Sequence, residues 1–462
     1  MVCEAVSHHG PSRVIALVSL LIVVSTLAFG AVYAWVYLPL FLFVTCLGVG
    51  GLVHRGGISH ELRRASLAMA LVALAIAAQL LPLSPGVLTL VSPRTPAMLA
   101  RYALGFAATD HHALSIDAQA TLRGLGVVVA LATYTVGLAG ILSRRRIRTL
   151  VQCLVAFGVP LALVGMYGRE HNNGLVYGFW RPQEDVIADS FGPFVNRNHF
   201  AGWMLMTVGL STGLLCGRIE RALKRMGPEV HRRVVWLSSA DANVIALVAL
   251  GLVVMAMSLV WTLSRSGILS FSVAMVCFAW LMARRRDASR TQRALGIAFV
   301  SSVLLAGLSW RGLDRVILWF SDTTDLQSRL GAWRDGWQVV RDFPLAGTGI
   351  NTYRFAMLFY QRHNLEFWMS HAHNDYLQLL AEGGLLVVVP VALAAVLFIL
   401  TVRRCFRRFP NDSELYWLRA GACVGLLAIA LQETAEFSLH IPANMLLFAT
   451  LAAIAISPIA DS

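Results

Sequence analysis

The stretch "MSHAHNDYLQLLAEGG", Met369 to Gly384, sets His371, His373, Asn374 and Asp375 directly before an apolar run that continues to Leu400. A histidine at a helix N-terminus sits at the positive end of the helix dipole. That position favours a neutral imidazole able to accept a proton. Arginines gather nearby in sequence type if not in number. "FVNRNHFAGW" (194–203) places Arg197 and His199 before an apolar run, "TLSRSG" (262–267) places Arg265 between two such runs, and "SRLGAWRDGW" (328–337) carries Arg329 and Arg334. Several guanidinium groups bind a diphosphate well, because they offer bidentate geometry and permanent charge. Clamp and base together suit one reaction class, the displacement of a diphosphate by a hydroxyl. The arginines would stabilise charge growing on the leaving group, and the histidine would take the proton of the attacking alcohol.

Plainer roles compete for each residue. Asn374 or Asp375 can cap the helix that begins there. His199 can be a packing histidine. Arg341 and Arg354 read as side chains that snorkel to lipid phosphates. Trp333 and Trp337, four apart, read as interfacial anchors. The His-x-His spacing also suits a metal, but no companion cysteine or acidic cluster completes a tetrahedral set. The chain has no Asp-x-Asp of the usual metal–nucleotide-sugar site and no Gly-x-x-x-x-Gly-Lys loop. Neither of those sites is visible, and no cofactor is expected.

These residues need elements to hold them, and the composition says which. Of 462 residues, 57% are hydrophobic and 14% charged, with mean hydropathy +0.66. Soluble chains carry about a quarter charged residues. Runs of the roughly 20 apolar residues that a spanning helix needs recur throughout. The reading is an all-α polytopic membrane protein of about twelve spans: 13–30, 32–53, 65–82, 120–142, 149–168, 199–217, 243–263, 266–283, 292–309, 376–402, 416–434 and 440–457. Ala97–Ala108 is too short to span and reads as re-entrant or interfacial.

Most of the 38 Lys and Arg lie in clusters beside span ends, among them "RRRIR" (144–148), 218–233, 284–293 and "RRCFRR" (403–408). Such clusters stay cytoplasmic. The net charge of +13 is then mostly a topology signal. It calls for anionic membrane lipid rather than nucleic acid. Segments 83–119, 169–198 and 310–375 fall on the exterior side. The seven cysteines all fall within spans or on the cytoplasmic side, so no disulfide framework is expected. The segment 310–375, between spans nine and ten, exceeds ordinary loop length and is a functional candidate. Within it, 328–343 reads as an amphipathic helix along the outer membrane surface, broken by "PLAGTG" (344–349). Three regions follow: N-terminal helices with two exterior loops (1–189), a catalytic region (190–402) and C-terminal helices (403–462).

"LSRSGILSF" (263–271), the spacing R-x4-R-x9-P-L-A-G-T-G from Arg329 to Gly349, "HAHNDYLQLLAEGGLL" (371–386) and "FVNRNHFAGW" resemble the O-antigen ligase and O-antigen polymerase family of bacterial envelope glycosyltransferases. The likeness covers roughly 190–400. It implies a GT-C-like fold and multi-pass residence in the bacterial inner membrane, with a large periplasmic loop. It also implies metal-independent, inverting transfer of a glycan from undecaprenyl diphosphate to a hydroxyl acceptor, either lipid A–core or a carrier-linked repeat unit. On this pattern His373, which precedes Asn374, is the essential loop histidine. Arg197, Arg265 and one or both of Arg329 and Arg334 are the essential arginines. His199, His371 and Asn374 join them as candidate substrate-binding residues, and His371 has no counterpart in the pattern. The rival class is a multispanning transporter. A transporter should place polar residues at mid-membrane on broken helices, whereas these lie at the outer boundary.

Overall fold

The computed structural model describes residues 10–182, 189–226, 236, 238–284, 324–408 and 413–459. Fifteen α-helices lie within them: α1 (Gly10–Leu27), α2 (Ala34–His54), α3 (Arg63–Ala78), α4 (Pro85–Val91), α5 (Arg94–Tyr102), α6 (Ala118–Ile141), α7 (Arg144–His171), α8 (Arg197–Met226), α9 (Ala240–Trp261), α10 (Arg265–Arg284), α11 (Thr324–Asp342), α12 (Tyr353–Tyr360), α13 (Asp375–Arg408), α14 (Ser413–Gln432) and α15 (Pro442–Ile456). Among the described residues β-structure is limited to isolated bridges. The chain is an all-α polytopic membrane protein. Eight helices, α2, α6 to α10, α13 and α14, are long and apolar enough to cross a bilayer, and α1 and α15 are shorter apolar helices. Eleven of the twelve expected spans coincide with helices; the twelfth, 292–309, lies outside the described residues.

Local chemistry sets the helix starts. Asp117 accepts from the Ala120 amide at 2.9 Å, Ser239 from Ala242 at 3.2 Å and Ser264 from Gly267 at 3.2 Å. Each satisfies an amide that the first turn leaves without an intrahelical partner.

Helix α8 is the hub. It is buried over nearly its whole length and packs on α7, α9, α10, α14 and α15. Its closest neighbour is α14, and the reason is legible in the residues. Gly209, Gly213 and Gly217 recur every fourth position on α8, as do Gly421 and Gly425 on α14. A Cβ on Gly209 would stand 2.7 Å from the Gly425 nitrogen, and one on Gly421 would stand 2.6 Å from the Gly209 oxygen. In lipid, where apolar burial gives helices little reason to associate, backbone contact across such small-residue stripes supplies the dispersion energy.

Residues 324–375 form an ordered layer rather than a loose loop. Phe343, Tyr353, Met357, Met369, Ala372 and Ala381 form their own buried cluster joining α11, α12 and the start of α13. Burying side chains the size of Phe343 or Tyr353 is worth about 2–3 kcal/mol each. Gln79, fully buried at the end of α3, donates to the Ala346 carbonyl at 2.7 Å and the Glu382 carbonyl at 2.9 Å, and accepts from the Ile350 amide at 3.1 Å. The Glu382 carboxylate takes the Asn351 amide at 2.8 Å and the Tyr353 amide at 2.9 Å, and so starts α12.

The turn "PLAGTG" does end α11, and it also fastens the layer to α13. Gly347 has a φ of 66° and Gly384, opposite, a φ of 53°. At Gly384 the ladder of α13 breaks, and the freed Leu385 and Leu386 amides bond the Pro344 and Leu345 carbonyls at 3.0 and 2.8 Å. A Cβ on Gly384 would lie 2.5 Å from the Gly347 nitrogen, so neither conformation nor space admits a side chain there. α13 is thus a short helix in this layer followed by a membrane-length one. The stretch 97–108, expected to be re-entrant or interfacial, forms part of α5 and the turns after it. It joins the same layer through Met98, which packs against the buried cluster of that layer.

Candidate active site

Asn374 is the cap of α13: its Oδ1 accepts from the Leu377 amide at 3.0 Å. Asp375, the other residue that suited that role, is used differently. Its amide donates to the Glu433 carbonyl at 3.0 Å, and its carboxylate meets His440 Nε2 at 3.2 Å. One residue before the cap, His373 takes a left-handed φ of 49°, which turns the backbone out of the helical path. Its carbonyl accepts from Trp333 Nε1 at 3.4 Å. Trp333 therefore faces the site rather than anchoring at the interface, while Trp337 is exposed.

The turn between α14 and α15 forms the other wall. The carbonyls of Asn198 and His199, at the start of α8, hold it in place. Asn198 accepts from Gln432 at 2.9 Å and from Ser438 at 3.3 Å, and His199 accepts from Asn444 at 3.0 Å. Phe437 projects from this turn into a group of histidines. His371 stacks on its ring at 4.3 Å and 10°, His373 meets it edge-on at 4.8 Å and 89°, and buried His199 does so at 4.7 Å and 77°. His371 and His440 rings are 4.9 Å apart. Burial, with His440 and His373 beside it, pushes the His371 imidazole well below the usual histidine range. The ring is neutral at pH 7.

Glu436, 1% exposed, is the charge at the centre. Its Oε1 pairs with Arg329 Nη2 at 2.8 Å and accepts from Ser266 Oγ at 3.4 Å. Arg329 also bonds the Ala435 carbonyl. Glu436 Oε2 faces His373 Nδ1 at 3.9 Å. Neither of those two buried atoms makes a hydrogen bond. Burial alone would raise the Glu436 carboxyl, but the Arg329 charge, with His373, outweighs it and holds the group at about 2. Glu436 is an anion across the physiological range.

The other expected residues distribute as follows. Arg265 opens α10 beside Ser266, which reaches Glu436. Arg197 opens α8 two residues before His199. It pairs with Asp189 at 2.6 Å, its amide donates to the Asp189 carbonyl at 2.9 Å, and Arg169 shares the same carboxylate. Arg334 is exposed. Five residues beyond Arg329, it lies about 140° round the helix. So His199, His371, His373 and Arg329 come together around Phe437 and Glu436, the α10 start joins through Ser266, and Arg334 points elsewhere. Among the described residues no three His, Cys, Asp or Glu side chains converge as a metal-holding group.

Glu436, Phe437 and His440 were not among the residues expected at the site. The signal was present in "LQETAEFSLH" (431–440), where two carboxylates and a histidine sit between apolar runs. Their partners, 60 to 240 positions away, are not readable from spacing.

Residues 250–392 match the O-antigen ligase family. That segment, less than half of the chain, is similar to O-antigen ligases. No curated protein matches the chain. The matched segment contains Arg265, Arg329, Arg334, His371, His373 and Asn374, and so covers one wall of the site. Arg197 and His199, at the start of α8, and Glu436, Phe437 and His440, in the α14–α15 turn, lie outside it. The chain is thus a polytopic membrane protein with a segment similar to O-antigen ligases.

Proposed function

We propose that the protein transfers a glycan from undecaprenyl diphosphate to a hydroxyl acceptor, with inversion and without a metal, at the periplasmic face of the bacterial inner membrane. The acceptor is lipid A–core or a carrier-linked repeat unit. The observation that carries this reading is the line Arg329–Glu436–His373. A permanent carboxylate on the Nδ1 side favours the tautomer with its proton on Nδ1 and leaves the Nε2 lone pair for a substrate proton. When Nε2 takes the acceptor's proton, Glu436 stabilises the imidazolium that results. The acceptor oxygen forms the new bond to the anomeric carbon as the bond to the carrier diphosphate breaks. Arg265 and Arg197, each at the start of a helix on the same side of the bundle, would hold that diphosphate.

Arg329 has a different role in this reading from the one its sequence position suggested. With a carboxylate and a carbonyl already on its guanidinium, it holds Glu436 in place and charged.

Glycolipid analysis of intact cells lacking the protein tests the assignment. Accumulated single repeats identify a polymerase, and carrier-linked polymer beside unmodified core identifies a ligase. Unchanged glycolipids with altered solute uptake would overturn the transferase reading in favour of a transporter.

A further inference from the structure

At the end of α13 opposite the histidines, a recess of about 200 Å³ opens between the α2–α3 turn and the last turns of α13. Arg64, Arg404, Arg408 and His60 stand around it with Glu61, and Thr401, Cys405 and Pro458 form its floor. From Gly384 to Arg408, α13 rises about 36 Å at 1.5 Å per residue, which matches a hydrocarbon core of about 30 Å with a little to spare. The recess therefore sits at headgroup depth in the leaflet away from the site.

Among the described residues around it, arginines outnumber carboxylates. Glu61 pairs with Arg408 at 2.8 Å. Among the described residues Arg64 and Arg404 face no carboxylate within ion-pair distance. The floor is fixed independently of any ligand. Arg419, 1% exposed, donates to the Cys405 carbonyl at 2.9 Å and to the Ser457 carbonyl, and so ties the end of α13 to the chain after α15. The volume equals about seven waters at 30 Å³ each, room for a phosphodiester and part of its glycerol.

We propose that this recess binds the headgroup of an anionic phospholipid. Two guanidiniums grip the phosphate oxygens, and the apolar floor takes the glycerol end of the acyl chains. The inference does not depend on the transferase reading or on which leaflet faces the cytoplasm.

Native mass spectrometry of the detergent-purified full chain, titrated with phosphatidylglycerol and separately with phosphatidylcholine, tests it. Wild-type protein should retain phosphatidylglycerol in preference to phosphatidylcholine, and millimolar inorganic phosphate should not displace it. The double variant Arg64→Ala, Arg404→Ala should bind roughly thirty-fold more weakly, from about fivefold for each basic residue near a charged lipid. Glu61→Gln removes the competing anion and should bind more tightly, an increase that a misfolded protein cannot produce. Equal retention of the two lipids, affinity unchanged in the variants, or displacement by free phosphate would each overturn the proposal.

Discussion

His373 Nδ1 and Glu436 Oε2 face each other across 3.9 Å, both buried and neither hydrogen-bonded. A rotation of the imidazole that closes about 1 Å would make a charge-assisted hydrogen bond. Catalytic hydrogen bonds are often long before substrate binds and shorten in the complex. Glu436→Gln keeps the shape and removes the charge. It should lower glycan transfer by about 10²–10⁴, with the protein still inserted and still binding the carrier. Transfer within a factor of two of wild type would show that His373 works without its carboxylate.

Arg329 and Arg334 should separate cleanly, although the sequence treats them as a pair. Arg329→Ala leaves Glu436 buried and unpaired, a change that commonly costs about 3–5 kcal/mol. A marked fall in melting temperature should accompany lost activity, and Arg329→Ala with Glu436→Ala should recover part of the stability. Arg334→Ala should leave the melting temperature unchanged. Equal thermal shifts for the two single variants would contradict the placement of Arg329.

Acid should weaken the fold through His371. Its imidazole is depressed in the folded state, so below the unfolded value near 6.5 the unfolded chain binds a proton that the folded chain does not. The stability His371 contributes is present above about pH 6.5 and falls as pH drops below it. His371→Phe keeps the stack on Phe437 and cannot take a proton. Its melting temperature should decline less than that of wild type between pH 7 and 5; parallel declines would place the acid sensitivity elsewhere.

Much of this architecture could be read directly. Hydropathy located the helices because each span must satisfy its backbone internally, and "HAHND" marked a helix start because Asn374 is a local cap. What escaped reading depends on contacts between distant segments. Glu436 looks like any carboxylate at a membrane boundary until Arg329 and His373 are placed beside it. The glycines of α8 and α14 read as ordinary members of apolar runs until the two helices pack. Trp333 shows the opposite failure, where a sound surface prior gave way to one hydrogen bond, the one to the His373 carbonyl.

The α8–α14 stripe makes its own demand. Gly421→Leu puts a branched side chain against the Gly209 carbonyl, and both backbones would have to separate. The expected result is loss of folded protein on size-exclusion chromatography, whereas Gly126→Leu on α6, where nothing lies within 4 Å of a Cβ, should elute as wild type. A folded Gly421→Leu protein would show that the close approach is dispensable.

Sidedness can be tested in a cysteine-free background. Leu365 is 74% exposed in the layer that holds the site, whereas Met369 is 4% exposed and would report burial rather than side. Leu365→Cys should react with an impermeant thiol reagent in intact spheroplasts. Labelling that requires lysis would place the site on the cytoplasmic face.

The most direct test of His373 as the base is the initial rate of transfer by purified protein from an undecaprenyl-diphosphate-linked donor in excess EDTA. The account predicts full activity for wild type, none for His373→Ala and partial activity for His371→Ala. Activity that EDTA abolishes and a divalent ion restores, with both histidine variants equally inactive, would contradict it.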